Sequence, residues 1–449
     1  MKTDAFPFSD LTNEIKIKGT MTSTQDTDRI NVQDMITVLA AIEEQYGPIC
    51  DHCLGRLVAK RSFGLSNDER GRSIRTYAAL VNDTPYEGSP KNCWICGDLF
   101  DTADEWAEKI CHALESIECH TFLMGSRTPP LMNEAEEMLW TDFELYSPEP
   151  IKSEINREFG KAVSRRTDLI VEFKEPDVVV LIDLDTNEID VQIRSLFLAG
   201  WYLKLERGIP QTHWHCRSCQ GKGCEACNGT GKQYADSVEE LIGAPILAIT
   251  KGSHVTLHGA GREDIDARMI GTGRPFILEI HNPLIRSVEL EELEKAVNEA
   301  GEKRVQITQL SWSRRSEVEI LKSHKGHKRY RILVDIDGVV SKEELQRSLN
   351  ELQNATIHQR TPQRVSHRRA DKVRKRTVLE MSLLGESEHK YEISVLGEAG
   401  LYIKELISGD NGRTSPSLSE LLQKPAQVTE LDVVYVEGIE SISHEEVKQ

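Results

Sequence analysis

Apolar positions repeat with two different periods along this chain. Near the start, NVQDMITVLAAIEEQYG, beginning at Asn31, has apolar residues at helical spacing and predicts a helix that stops at a Gly-Pro pair. The polar residues before it, 1–35, predict a loosely held tail. Between about residues 115 and 211 the pattern alternates between helix and strand, which predicts a compact α/β or α+β domain with a small sheet. Its elements are HTFLMGS, a helix from about Ile151, TDLIVEF, DVVVLIDL and NEIDVQIRSLFLAGWYLKL.

From Tyr234 to the end, helix and strand patterns alternate again on a larger scale. Helices are predicted for ELEELEKAVNEAG and SKEELQRSLNELQ. Strands are predicted for PILAITKG, FILEIHNP, RVQITQLSW, RYRILVDIDG, RTVLEMSLLG and HKYEISVLGEAGLYIKELISG. Together they predict a mixed sheet with helices, large enough for an enzyme domain. Between these elements, GREDIDARMIGTGRPF, from Gly261, crowds three acids, three arginines and three glycines into sixteen residues and is expected to be a loop.

Length and composition are those of a globular protein with about three domains, since the 449 residues are 39% hydrophobic and 29% charged. The beginning, MKTDAFPFSDLTNE, lacks the basic and apolar regions of a signal peptide. The longest apolar runs, such as VVVLI and LFLAGWYL, are far shorter than a membrane span. The expected location is therefore the cytoplasm.

Eight of the ten cysteines form four C-x-x-C pairs, the spacing that offers two thiolates to one metal ion. Disulfides are not expected in a reducing compartment, so structural zinc is the better interpretation. HCRSCQGKGCEACNGTG places four cysteines within twelve residues, whereas CDHC and CWIC must be brought together by the fold; His213 and His215 are bystanders beside a complete set of four thiolates. The predicted zinc ligands are Cys50, Cys53, Cys93 and Cys96 in one site, and Cys216, Cys219, Cys224 and Cys227 in the other.

The net charge of −18 excludes a protein that is basic overall, but positive charge is concentrated in two segments. Residues 314–331 carry seven Lys/Arg against two Glu, and residues 360–376 carry eight against one Asp. Such a concentration inside an acidic protein is typical of a patch that binds a polyanion. The predicted RNA contacts are Arg360, Arg364, Arg368, Arg369, Lys372, Arg374, Lys375 and Arg376.

Two interpretations each fit part of the chain. RILVDIDGVV has the form of the haloacid-dehalogenase phosphatase loop, in which Asp335 and Asp337 would act with Mg²⁺. VVLIDLDTNE fits nearly as well, and no later acidic pair completes such a magnesium site. The glycine-rich cysteine pairs also suit a zinc-stapled RNA-binding scaffold without catalysis, resembling the C-x-x-C-x-G-x-G repeats of the J-domain chaperones.

Four short motifs, in order, favour a third interpretation. GRED at Gly261 resembles the Gly-Arg-Thr-Asp core of pseudouridine synthases, with Glu263 in place of the usual Thr. KRYRILVDIDG is similar to the family's Lys-x-Tyr strand, AGLYIKEL to its Gly-x-Tyr-Ile-Arg/Lys strand, and SLSELL to the segment that supplies an apolar pocket residue, Leu421 or Leu422. With LMGSRTPP, LFLAGWYLKLERGIPQ and the basic segment, the chain is identified as a member of the archaeal tRNA pseudouridine synthases that modify uridines 54 and 55 of the T loop.

This resemblance implies the roles of individual residues. Asp264 is expected to be the catalytic aspartate, with Asp266 as the rival carboxylate, and no organic cofactor is expected. Lys404 is expected to keep Asp264 ionised by its opposite charge, and Tyr330 to stack on the base and assist the final deprotonation at C5. Tyr402 and Lys404 are predicted to share one face of a strand. The expected substrate-binding residues are Tyr330, Tyr402, Lys404, Leu422 and Arg262.

The resemblance also implies the domain organisation and the partner. The expected fold class is α+β, with a mixed-sheet catalytic domain preceded by a zinc-containing region and a small THUMP-like RNA-binding domain. A monomer that binds the T arm of tRNA is expected. The predicted segments are 1–35 tail, 36–110 zinc-stapled region, 111–211 THUMP-like domain with a start as early as residue 85, 212–232 zinc knuckle, and 233–449 catalytic domain with a basic insertion at 357–376.

Overall fold

The computed structural model describes residues 32–145, 148–366, 369–387 and 390–438. The chain forms two compact units, and each is described by itself. Of the described residues, the first unit contains those up to Cys111, together with those in Met124–Asp168 and Val180–Asp190, and the second contains the others. Within the described ranges, no helix combines the length and the apolar character needed to cross a bilayer.

The first helices surround the first set of cysteines. Cys50 caps the helix that carries Cys53, and Ser66 forms a capping box with Glu69 at the start of the third helix. The predicted early helix is confirmed. These helices are α1 (Val32–Gln45), α2 (Asp51–Arg56), α3 (Asn67–Asn82) and α4 (Ala103–Leu114), with a 3₁₀ turn at Leu99–Thr102 before α4.

A four-stranded sheet follows, as the alternating pattern predicts. Its strands are β1 (Thr121–Arg127), β2 (Ile170–Val171), β3 (Val178–Asp183) and β4 (Glu188–Ile193), in the order β2-β1-β3-β4. Two helices lie between β1 and β2 in sequence, α5 (Pro130–Asp142) and α6 (Ile151–Arg166). TDLIVEF forms only the two-residue strand β2, with Ile170 exposed at the edge of the sheet.

A ten-stranded mixed sheet dominates the second unit. Its order is β13-β10-β11-β12-β9-β14-β7-β5-β8, with β6 paired to β7. The strands are β5 (Leu196–Lys204), β6 (His254–Gly259), β7 (Arg268–His281), β8 (Val305–Ser313), β9 (Lys328–Ile336), β10 (Thr356–Arg360), β11 (Val373–Ser387), β12 (Lys390–Gly397), β13 (Thr414–Ser415) and β14 (Ala426–Val436). The helices are α7 (Val238–Thr250), α8 (Leu290–Ala300), α9 (Arg315–Ser323), α10 (Lys342–Leu352), α11 (Ile403–Ser408) and α12 (Leu418–Leu422).

The larger sheet supports one extensive apolar core. Leu345, Leu349 and Leu352, at helical spacing in α10, are fully buried, as is Leu293 in α8. Both helices were predicted from that spacing and are confirmed. β14 runs parallel to β7 but antiparallel to β9, so the sheet is mixed as expected.

Two predicted strands are helices instead. PILAIT lies in α7, because Ser237 caps the helix start and Ile242 and Ile246 are buried four residues apart. A short apolar run does not by itself distinguish a strand from a helix. AGLYIKEL leads into α11, so Tyr402 and Lys404 do not share a strand face. Gln359 donates to the Tyr402 carbonyl and accepts from its N–H, which withdraws both groups from strand pairing.

Three predicted boundaries also change. β5, placed by the sequence in the 111–211 domain, pairs with β7 and β8 in the larger sheet. The second half of GREDIDARMIGTGRPF, from Arg268, is a strand rather than a loop, with irregular pairing on β5 near its glycines. The basic segment 357–376 is not an insertion outside the sheet, because its two ends pair as β10 and β11. For β5 and β7 the pairing partner is distant in sequence, whereas β10 and β11 are neighbouring strands in the chain.

Candidate active site

A buried lysine fixes the acidic loop, which is the segment between β6 and β7 that contains Glu263, Asp264 and Asp266. Lys204, fully buried on β5, donates to the carbonyl oxygens of Ile209 at 2.9 Å, Asp264 at 3.2 Å and Ile265 at 3.1 Å. Gln211 donates to the Gly261 carbonyl at 3.0 Å. Because buried donors hold its backbone carbonyls, the loop has a defined shape despite its glycine and its charges.

Glu263 turns inward and anchors this loop. Its carboxylate accepts from the Tyr202 hydroxyl at 2.8 Å and lies 2.9 Å from Arg274 Nε, with the side chains of Glu263 and Arg274 both 1% exposed. Burial works against ionisation, but the positive charges of Arg274 and Lys204 hold the pKa of Glu263 below its ordinary value. The residue that departs from the Gly-Arg-Thr-Asp pattern is therefore half of a buried ion pair.

Asp264, the next residue, turns outward between two cations. Its side chain is 28% exposed, with Arg364 Nη1 2.9 Å from Oδ1 and Lys404 Nζ 3.8 Å from Oδ2. Asp266 is 68% exposed, and its Oδ2 lies 2.6 Å from Lys404 Nζ. Burial opposes ionisation of Asp266, yet the hydrogen bond from Lys404 holds its pKa below the ordinary value. The Lys404 ammonium group thus lies within 4 Å of both carboxylates and is closer to that of Asp266.

Arg364 makes contacts that the sequence did not predict. It was assigned to RNA, yet its Nε lies 2.7 Å from the buried Glu405 while its Nη1 reaches Asp264. Glu405 follows Lys404 in α11, so one short helix places both a lysine and an acid beside the loop. No spacing rule indicates this contact, because 100 residues separate Arg364 from Asp264. Glu405 and Arg364 were both missed as parts of the site.

The two predicted tyrosines lie on different elements near this loop. Tyr330 is on β9, nearly buried, and burial together with the charge of Asp264 raises its pKa to about 12, against the opposing effect of Arg274. Tyr402 precedes α11, and its hydroxyl accepts from Arg369 Nη1 at 3.2 Å. Tyr330 is therefore a neutral phenol at physiological pH.

The remaining two predicted substrate residues differ in exposure. Leu422, at the end of α12, is buried in the core, and its neighbour Leu421 is only partly buried. Arg262 is exposed, and its guanidinium lies over the Trp214 ring, 5.1 Å from the centroid. Trp214 comes just before the second cysteine cluster, so this cation–π contact joins the knuckle to the acidic loop.

Comparison with known proteins identifies the family to which this site belongs. Residues 197–437 match the family described as Pus10, C-terminal, and residues 106–183 match the archaeal Pus10 THUMP domain. The chain belongs to the Pus10 family. Three similar proteins are each named tRNA pseudouridine synthase Pus10. The protein from Halorubrum lacusprofundi is 46% identical, and the match covers 87% of this chain and 94% of the relative. The protein from Methanothrix thermoacetophila is 40% identical, covering 93% of this chain and 98% of the relative, and that from Pyrococcus furiosus is 37% identical, covering 86% and 94% respectively.

Membership of the Pus10 family decides among the three interpretations. It confirms the resemblance to archaeal tRNA pseudouridine synthases, the enzyme class of isomerase and the α+β fold with a THUMP domain. The phosphatase and the non-catalytic scaffold are excluded. Asp335, one of the two aspartates in the phosphatase interpretation, is a strand residue of β9 opposite Lys390 and Gln427.

One further Pus10 residue beside the loop was not singled out from the sequence. Lys328 starts β9, two residues before Tyr330 and hence on the same face. Its Nζ is so close to Gly261 that a Cβ built there would lie 2.9 Å from it. Burial, with repulsion from Arg274, lowers the pKa of Lys328 to about 7. The Lys-x-Tyr motif was the available signal, but it drew attention only to the tyrosine.

The predicted RNA contacts lie in the basic hairpin, residues 357–376, and their side chains differ in the partners they contact. Arg360 forms a two-pronged contact with Asp371, whereas Arg374 and Arg376 donate to Thr361 and to the Ala399 carbonyl. Among the described residues, Lys372 and Lys375 are exposed and their ammonium groups have no partner. Arg368 lies outside the described residues.

Both cysteine sets of this Pus10 chain form compact clusters that could hold a metal. In each cluster the four sulfur atoms lie within 4.8 Å of one another. The Sγ–Sγ distances are 3.6 Å for Cys50–Cys96, 3.9 Å for Cys216–Cys224 and 3.8 Å for Cys219–Cys227. Four sulfurs placed tetrahedrally at about 2.3 Å from a zinc ion would be separated by about 3.8 Å, so the geometry fits zinc.

Proposed function

We propose that this Pus10 chain isomerises uridines 54 and 55 in the T loop of tRNA, with Asp264 as the catalytic carboxylate. The observation that carries the assignment is the contrast within one loop, where Glu263 is buried against Arg274 while Asp264 faces outward between Arg364 and Lys404. The relatives' shared name supports tRNA as substrate. The T-loop positions come from the motif resemblance.

The reaction needs a carboxylate near C1′ and no change of oxidation state. The C1′–N1 bond breaks, the base turns, and a new bond forms between C1′ and C5. C5 then loses its proton and N1 gains one, so the product is an isomer of uridine. Positive charge develops at C1′ as the bond breaks, and Asp264 stabilises it best where water is scarce. The target base must leave the loop stack to reach such a site.

The two cations fix the orientation of Asp264. Arg364 holds one carboxylate oxygen at 2.9 Å and is itself held by Glu405 at 2.7 Å. Lys404 lies 3.8 Å from the other oxygen and is drawn toward Asp266. Asp266 is therefore a positioning residue for Lys404. Held on two sides, Asp264 pays little further entropy when the nucleotide binds.

Tyr330 supplies an aromatic surface and a hydroxyl donor. With a pKa of about 12 it carries its proton at neutral pH, and in that state it can stack on the base and donate a hydrogen bond to it. Its assistance in the deprotonation at C5 remains part of the proposal. Tyr402 and Arg262 are proposed to line the same pocket, with Leu421 or Leu422 as its apolar wall.

The two cysteine clusters are proposed to bind structural zinc. Four thiolates complete a tetrahedral ion and leave no position for substrate, so the metal would stabilise the fold and supply no chemistry. We further propose that the protein acts as a cytoplasmic monomer on tRNA, with the basic hairpin on the T arm.

The decisive experiment incubates the purified chain with an unmodified tRNA transcript and no added cofactor, and maps pseudouridine chemically. Pseudouridine at positions 54 and 55 is expected, with loss of one product when that uridine is replaced by cytidine. Asp264→Asn should abolish both products while tRNA still binds. Asp266→Asn, a matched carboxylate in the same loop, should slow the reaction only. Full activity in Asp264→Asn with loss in Asp266→Asn would reassign the catalytic residue.

A further inference from the structure

The loop between α2 and α3, in the first compact unit, connects two helices that pack closely against each other. The two helices approach so closely that a Cβ on Gly55 would lie 1.7 Å from the Asn67 carbonyl oxygen, and a Cβ on Gly71 would lie 1.9 Å from that of Asp51. Only glycine allows such backbone contact. Cys50 of the first cysteine cluster caps the start of α2. The loop therefore projects from a support that cannot easily deform.

The loop itself is held in one conformation. Arg70 donates to the carbonyl oxygens of Arg61 at 2.7 Å and Ser62 at 2.8 Å. Ser62 and Gly64, on either side of Phe63, have φ angles of 57° and 85°. A serine in this left-handed region is strained, and strain maintained by surrounding contacts is common in ligand-binding segments.

This braced loop displays an aromatic side chain that packs against nothing. The relative exposure of Phe63 is 104%. Gly64 and Leu65 border a cavity of about 660 Å³. The charged groups lining that cavity are four cations, Lys60, Arg70, Arg157 and Lys161, and two carboxylates, Glu69 and Glu149.

Positive charge is available at this cavity. Arg157 is already paired with Glu149, and Arg70 is committed to the loop backbone. Lys60 is exposed and, among the residues that the structure describes, has no hydrogen-bonded or charged partner. Lys161 lies 2.9 Å from Glu158, so Lys60 is the available cation among the four. An exposed aromatic group beside an available cation matches the way proteins bind single-stranded nucleic acid, by base stacking together with phosphate contacts.

We propose that residues 60–65 bind an unpaired nucleotide of the tRNA. A base stacks on Phe63, and Lys60 binds an adjoining phosphate. Identifying the RNA as tRNA rests on the proposed function, whereas the stacking site does not depend on where pseudouridine is made. The loop and Asp264 belong to different compact units, and the proposed contribution of the loop is to substrate binding.

The test compares full-length variants in tRNA binding and steady-state turnover. Phe63→Ala should raise Kd and KM about tenfold and leave kcat unchanged, because one base–aromatic stack is lost. Phe63→Trp should keep wild-type affinity. Lys60→Ala should lower the slope of log Kd against log salt concentration by about one unit. Leu80→Ala is the matched control, since Leu80 is 76% exposed in the same unit and does not line the cavity.

Each other outcome has a separate meaning. Wild-type Kd in both Phe63→Ala and Lys60→Ala would overturn the proposal, even if the enzyme is fully active. An equal loss in Leu80→Ala would also overturn it, because the effect would not be specific to the loop. If RNA affinity is unchanged and Phe63→Ala instead dissociates a protein dimer in sedimentation, the loop is a protein interface. If the wild-type chain binds tRNA through Phe63 but makes no pseudouridine, the proposed function fails and this site stands.

Discussion

Arg364 Nη1 lies 2.9 Å from Asp264 Oδ1, although the two residues are 100 positions apart. The contact places a residue of the basic hairpin on the proposed catalytic carboxylate. Glu405, buried in α11, binds the other side of the same guanidinium. We therefore propose that this arginine, predicted for RNA binding, orients the carboxylate of Asp264 instead.

Replacing Arg364 tests this role. Arg364→Ala should lower kcat on the order of 10- to 100-fold with little change in KM, because Asp264 loses one of its two positioning contacts. Glu405→Gln should have a smaller effect in the same direction, since Arg364 keeps Asp264 but loses its anchor. Single-turnover rates on tRNA measure both.

Arg360→Ala in the same hairpin is the control, because Arg360 is paired with Asp371 rather than with the loop. If Arg364→Ala raises KM with kcat unchanged and lowers the salt dependence of binding, Arg364 is an RNA contact as the sequence suggested.

The lysines of the hairpin carry a second prediction. Lys372→Ala and Lys375→Ala should each lower the slope of log Kd against log salt concentration by about one unit, because each lysine is available to neutralise a phosphate. Fluorescence anisotropy of labelled tRNA over a range of salt concentrations measures the slope. Lys295→Ala, on α8, should leave it unchanged, and a slope equal to wild type in the hairpin double variant would mean that these lysines are only solvated.

Zinc content is the third prediction. Metal analysis of the purified chain should find about two zinc ions, and Cys53→Ser or Cys219→Ser should each remove about one. Cys219→Ser should also slow the reaction, because the knuckle carries Trp214 into contact with Arg262. Retention of two equivalents in both variants would show that the metal is held elsewhere.

The low pKa of Lys328 makes a prediction for stability against pH. The unfolded lysine has a pKa near 10.4, and the folded one about 7, so between these values the unfolded state binds more protons. Stability should therefore fall as pH decreases from about 10 to 7 and level off below that. Lys328→Met should raise the free energy of unfolding by roughly 3–5 kcal/mol at pH 7 and by far less at pH 10.

Urea unfolding at both pH values measures this difference, with Lys295→Met as an exposed control. A Lys328→Met effect of the same size at pH 7 and pH 10 would contradict it, because the gain would then come from packing rather than from a buried charge.

The sequence alone predicted those features that depend on residues close together in the chain. The leucines of α10 repeat at helical spacing, and each zinc-type cluster is built from C-x-x-C pairs whose geometry is set within one turn. Short motifs located Asp264 and Tyr330 in the same way, since the residues that define them are adjacent in the chain. Helix periods, cysteine spacing and the family were therefore accessible from the amino-acid sequence.

Only the tertiary structure showed those features that depend on contacts between residues far apart in the chain. PILAIT is apolar enough for a strand or a helix, and packing against the sheet selected α7. Tyr402 does not pair in a strand, because its backbone N–H and C=O groups are both hydrogen-bonded to the Gln359 side chain. Glu263 points inward and Asp264 outward because Arg274 lies on one side of the loop and Arg364 on the other. Burial and charge pairing are set by residues tens to hundreds of positions away, so sequence spacing does not encode them.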